Sequence, residues 1–131
     1  MQTIPLVSIV VLLAAIEFMV LGAMVGRARA KYGVAAPATS GHPVFERHFR
    51  VHYNTLEQLI VFIPSIVLFG IYLSDLWGAI LGAVFVIARI PYAVGYVADP
   101  KKREFGSILG FMALLPLVLG ALYAAIRAAI G

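Results

Sequence analysis

Four long apolar runs leave this chain little freedom in what it can become. They cover residues 4–26, about 56–73, 76–97 and 105–130. Each is about 18–26 residues long, and about 20 helical residues cross a ~30 Å hydrocarbon core. None alternates apolar and polar residues over ~10-residue segments, as a transmembrane β-strand does. The expected fold is therefore all-α, a transmembrane four-helix bundle, with residues 1–131 forming one membrane domain. Composition agrees: 63% of residues are hydrophobic and only 12% charged, against roughly half and a quarter in soluble domains. Such a chain cannot wet its own surface, which excludes a cytosolic globular enzyme, a disordered chain and a nucleic-acid-binding module. The first run has no basic segment before it and is too long for the apolar centre of a signal peptide, so it reads as a span.

Charge sets the expected orientation. Of the ten basic residues, Arg27, Arg29, Lys31, Arg47 and Arg50 lie between the first and second runs, and Lys101, Lys102 and Arg103 between the third and fourth. Arg127 alone lies on the other side, and Arg89 falls inside a span. The positive-inside rule puts both basic connections in the cytoplasm and both termini outside. Residues 33–43 are rich in glycine, proline and small residues and read as irregular chain. From about residue 44 no breaker occurs before Pro64, so the second helix is expected to begin in the cytoplasm and run into the bilayer. Ser74 is expected to cap the third helix. Asp99 and Pro100 supply an N-cap and a first-turn proline for the fourth, which places Arg103 in its first turn.

Polar groups at membrane depth are costly, so their placement carries information. Arg50, Asn54 and Glu57 fall within about 60° of one another on a helix. That stripe of guanidinium, amide and carboxylate suits a zwitterion with carboxylates and an amine. It equally suits a network that fastens helices together. Arg89, Tyr92 and Tyr96 form a second stripe on the third span. The tyrosines fit an interfacial aromatic belt or a site, whereas an arginine inside a span faces the bundle or a cavity. Arg103 lies a short loop beyond Tyr96, where a guanidinium at a helix start can stabilise an anion. Glu17 sits in mid-span with no assigned role. His42, His48 and His52 show no zinc pattern, so no metal is expected. With no cysteine, any thiol chemistry must use a thiol brought by a substrate.

Two segments resemble a known family. FERHFRVHYNTLEQLIVFIP, residues 45–64, is similar to the second-helix pattern E-R-x-x-R-x-x-x-N-x-x-E of the MAPEG family, the membrane-associated proteins in eicosanoid and glutathione metabolism. ARIPYAVGY, residues 88–96, resembles the family's third-helix A-R-x-x-Y-x-x-G-Y. The likeness covers essentially the whole chain and lies nearest the bacterial, microsomal glutathione transferase-like branch. It implies a MAPEG-like homotrimer of four-helix subunits, placed in a bacterial inner membrane, with glutathione as co-substrate bound between neighbouring subunits. Arg29, Arg50, His52, Asn54, Glu57, Arg89, Tyr92 and Tyr96 then match glutathione-binding positions, and Arg103 matches the arginine that activates the thiol. The implied activity is conjugation of glutathione thiolate to hydrophobic electrophiles dissolved in the bilayer, with glutathione peroxidase activity as a variant. The family also contains a non-catalytic lipid-binding member, so a lipid-binding or scaffold role is the alternative. Pro91 inside the third-helix pattern, Gln58 after Glu57 and Ala30 after Arg29 depart from relatives.

Overall fold

The apolar runs all become helices, but two of the helical stretches continue past the point where hydrophobicity ends. The structure, a computed structural model that describes residues 2–131, contains α1 (Pro5–Tyr32), α2 (Pro43–Tyr72), α3 (Asp75–Ala98) and α4 (Glu104–Ile130). A 3₁₀ turn, Pro100–Arg103, leads into α4. All four helices are long and apolar enough to cross a membrane. Large side chains such as Leu12, Met19, Ile60, Ile87, Val94 and Met112 stand more than half exposed on their outer faces. Apolar surface on this scale is stable only against lipid or another apolar partner.

Helix ends follow backbone chemistry rather than hydrophobicity. The first apolar run stops near residue 26, yet α1 continues to Tyr32, because nothing breaks the helix before Gly33. That glycine takes a left-handed φ of 68°, and its N–H and that of Val34 both return to the Arg29 carbonyl. Such an αL cap costs glycine little because it has no Cβ. Arg27, Arg29 and Lys31 are therefore helical residues. His42 caps α2 by accepting from the Val44 N–H at 3.1 Å, with Pro43 at the first helical position. Ser74 caps α3, as expected, by accepting from Trp77 N–H at 3.0 Å. At the last junction the expectation needs correcting. Asp99 caps the 3₁₀ turn by accepting from Lys101 N–H, and Arg103 closes that turn just before α4.

α2 and α3 each pack against both α1 and α4, so they form the central pair. The largest core cluster lies between them: Phe62 and Phe85 stack with ring centres 4.2 Å apart, surrounded by buried Ile66, Leu117, Val7 and Val10. Val7 fits against Gly70 and Gly78, where an added Cβ would stand only 3.0 Å from its methyl group. Small residues at such crossings let membrane helices approach closely.

The start of α1 is held by another helix. Its first turn has no acidic residue and no cap of its own. Asp75, from the first turn of α3, accepts from Leu6 N–H at 3.0 Å and Val7 N–H at 2.8 Å. These are two of the donors that a helix start leaves unpaired, and a carboxylate there also meets the positive end of the helix dipole. Asp75→Ala should lower stability by about 1–2 kcal/mol, and Asp75→Asn by less. Melting followed by circular dichroism in detergent checks both.

Candidate functional site

Arg89 is the most deeply buried charged side chain among the described residues, with 5% of its surface exposed. Its Nη2 donates to Asn54 Oδ1 at 3.0 Å and to Thr55 Oγ1 at 2.6 Å, both on α2. Thr55 in turn donates to the Val51 carbonyl at 2.7 Å. The guanidinium carbon lies 4.0 Å from the centre of the Tyr92 ring. One cation thus ties α2 to α3 and sets the position of Asn54 and Tyr92 together. Thr55 was not singled out in the sequence, where a lone threonine in an apolar helix carries no pattern.

A cavity of about 180 Å³ opens beside this network, lined by Asn54, Arg89, Tyr92, Arg103, Gly106 and Ser107. Its wall is tight where α4 crosses α3, since a Cβ on Gly106 would run into the Tyr92 backbone. Toward the basic end lies a wider hollow of about 450 Å³, lined by Glu46, Arg47, Phe49, Arg50 and Tyr96. The two adjoin through an aromatic and cationic pair. The Arg103 guanidinium lies 5.9 Å from the Tyr96 ring centre, and Tyr96 is 5.8 Å from Tyr92. Arg103 is exposed, and its Nη1 donates to the Pro100 carbonyl at 2.7 Å. Arg50 faces Glu57 at 3.8 Å, with both side chains about half exposed (52% and 48%). At that exposure an ion pair contributes little to stability, so both groups remain able to exchange partners.

Seven of the nine residues read from the sequence therefore gather along the α2, α3 and α4 side: Arg50, Asn54, Glu57, Arg89, Tyr92, Tyr96 and Arg103. The other two lie apart. Arg29 donates to the Ala38 carbonyl at 2.6 Å and to that of Val34 at 3.5 Å. It also lies 4.8 Å over the Phe45 ring, so it fastens the connection between α1 and α2. His52 stacks on Phe18 of α1 at 4.3 Å, on the side of α2 away from Arg50. Arg47, read in the sequence only as an orienting charge, donates to the last carbonyls of α3, Val97 at 3.1 Å and Ala98 at 3.2 Å.

Removing the Thr55 hydroxyl takes one acceptor from a buried cation. An ordinary hydrogen bond between membrane helices averages about 0.6 kcal/mol, but the charge of Arg89 raises the expected loss to about 1–3 kcal/mol. Thr55→Val should therefore melt well below the parent in detergent, and Thr55→Ser should restore most of the difference.

Residues 7–123 match the family described as MAPEG. The chain is 50% identical over 115 residues to an uncharacterised protein of Synechocystis, covering 88% of this chain and 84% of that one. It is 40% identical over 119 residues to microsomal glutathione S-transferase 2 of Homo sapiens, covering 89% and 80%. It is 34% identical over 76 residues to leukotriene C4 synthase of Rattus norvegicus, covering 58% and 51%. With four membrane-capable helices and a family match over nearly its full length, this chain is an integral membrane protein that belongs to the MAPEG family.

Proposed function

We propose that this protein is a membrane-bound glutathione transferase that joins glutathione thiolate to hydrophobic electrophiles in the bilayer, with reduction of lipophilic peroxides as a related activity. The carrying observation is the Arg103 guanidinium at the mouth of the Asn54–Arg89–Tyr92 cavity, beside the hollow that holds Arg50 and Tyr96. Relatives named as glutathione S-transferases support the co-substrate.

The division of labour follows from charge. Glutathione carries two carboxylates, an ammonium and a thiol. Arg50 would pair with a carboxylate and Glu57 with the ammonium, each exchanging its present partner for the ligand's. Asn54 and the two tyrosines offer neutral hydrogen-bonding groups along the wall, and Arg89 holds Asn54 and Tyr92 in place. Arg103 would then face the sulfur. A free thiol has a pKa near 8.5, so only about 3% is thiolate at pH 7. A drop of ~2 units, worth ~2.7 kcal/mol, makes about three quarters of it thiolate. The ionised sulfur attacks the electrophilic carbon, a carbon–sulfur bond forms, and the leaving group departs with its electron pair. No residue of the chain is covalently modified.

The assembly belongs to the same proposal. A homotrimer would set the α1–α2 face of one copy, with Arg29 and His52, against the α2–α4 side of the next. Both basic connections would lie in the cytoplasm and both termini outside, in a bacterial inner membrane, and residues 1–131 would act as one domain.

Glutathione should raise the melting temperature saturably, as expected when a ligand binds only the folded state. It should also produce thiolate absorbance in the ultraviolet. Arg103→Ala should keep most of the thermal shift but lose about 25-fold in thiolate at pH 7, the change expected if the sulfur returns to pKa ~8.5. Conjugation of chlorodinitrobenzene should then gain rate through about pH 6.5 in the parent and only through about pH 8.5 in the variant. An unchanged band and rate profile would remove Arg103 from the mechanism. Absence of any glutathione shift would instead favour the lipid-binding or scaffold role, in which the Arg50–Glu57 and Arg89–Asn54 contacts simply fasten helices.

A further inference from the structure

A second polar and apolar arrangement lies on the α1–α3 face, away from the α2–α4 side. A groove of about 470 Å³ runs there between the two helices. Its walls are aliphatic, with Val20, Met24, Ile90 and Val94 partly or largely exposed and no other helix of the chain covering them. Glu17 and Arg89 close its deep end, and His48 and Ala98 mark its end toward the basic side of the bundle. From Arg89 to Ala98 is nine helical steps, or about 13 Å.

The groove does not stop at His48. Met24 and His48 also line a smaller hollow of about 140 Å³, whose other walls include Arg27, Lys31 and Tyr32. Both cations are exposed on the last turns of α1. Among the described residues neither carries a hydrogen bond or ion pair, in contrast to Arg29 and Arg47, which are spent on backbone carbonyls. Lys31 rests only 5.4 Å over the ring of its neighbour Tyr32. No carboxylate lines this smaller hollow.

An aliphatic groove about 13 Å long that opens onto two exposed cations and an imidazole has the layout of an anionic amphiphile. We infer that the α1–α3 face binds one anionic phospholipid, its phosphate on Arg27, Lys31 and His48 and one acyl chain along Val20, Met24 and Val94. The headgroup charge meets cations at the depth where membrane surfaces carry them, each contributing through proximity to the lipid phosphate. The chain replaces bulk lipid on a surface whose depth matches an acyl segment and whose far end is closed by an opposed acid and base. The inference is independent of the glutathione site, which lies on the other side of Arg89.

Native mass spectrometry of the full chain, released from detergent after titration with phosphatidylglycerol or phosphatidylcholine, tests it. One phosphatidylglycerol per chain should be retained, with at least tenfold preference over phosphatidylcholine. Arg27→Gln combined with Lys31→Gln should erase that preference, whereas Lys101→Gln, at the other basic connection, should leave it intact. Val94→Trp, which fills the groove, should reduce retention with the cations in place. Equal retention of the two lipids by the parent chain would overturn the assignment without any variant. So would equal loss of preference in Lys101→Gln, which would reduce the effect to bulk charge. Competition by glycerol phosphate at the same concentration as the lipid would also overturn it, since the acyl groove would then contribute nothing.

Discussion

The guanidinium of Arg89 is the constraint from which the site follows. A cation buried within a membrane span costs several kcal/mol unless its donors find acceptors. Here Asn54 and Thr55 supply oxygens from one helix and Tyr92 supplies a ring face from another. Bonding Nη2 in this way fixes the rotation and register of α2 against α3, although the buried Nε of Arg89 has no hydrogen-bond partner. A slip of one residue on either helix would turn the partners away by about 100°. The stacked Phe62 and Phe85 hold the same two helices apolar-to-apolar. That contact alone tolerates sliding far better than a charged hydrogen bond does. The walls of the α2–α4 cavity inherit their positions from this pairing, because Asn54 and Tyr92 belong to both.

The helix ends show a related economy. Three charged side chains spend themselves on backbone groups of another segment: Asp75 on the start of α1, Arg47 on the end of α3, and Arg29 on the connection after α1. At a membrane boundary such groups have less water to turn to, so a charge brought from a neighbour stabilises the end and the helix packing at once. The cations at the basic end thus fall into two kinds. Arg29 and Arg47 are occupied by carbonyls, whereas Arg27, Lys31 and Arg50 keep their charge accessible to an outside anion. A count of positive residues, which suffices for orientation, does not distinguish them.

Much of the fold could be read from the chain because it depends on properties local to one segment. Span number follows from the length of apolar runs, the α3 cap from Ser74, and the inward-facing Arg89 from the cost of exposing it to lipid. What could not be read involves either backbone signals weaker than hydrophobicity or contacts between helices. The apolar pattern ends near residue 26, but α1 ends at Gly33, because polarity changes at the membrane surface while the helix needs a breaker. Helical spacing placed Asn54 in a stripe with Arg50 and Glu57. Its bonded partner is Arg89 on another helix, and no single-helix projection can show that. His52 occupies the opposite side of α2 from Arg50, as 200° of rotation requires, and stacks on Phe18 of α1 instead of lining the α2–α4 cavity.

The placement of Arg103 bears directly on how a thiol would be ionised. A helix start offers two kinds of positive potential, free N–H groups and any cation nearby. In this structure the first kind is largely used. Asp99 accepts from the Lys101 N–H through its carboxylate and from the Lys102 N–H, at 2.8 Å, through its carbonyl. The 3₁₀ turn then runs directly into α4. The negative charge of Asp99 further offsets the dipole at that end. On the proposed mechanism, stabilisation of a thiolate would therefore come mainly from the guanidinium, whose Nη1 donates to the Pro100 carbonyl and whose carbon lies 5.9 Å from the Tyr96 ring centre. A lysine at this position would preserve the charge but not the fork that could hold the Pro100 carbonyl and a sulfur at once. On the proposed mechanism the chemistry would depend on the shape of the cation as well as its sign.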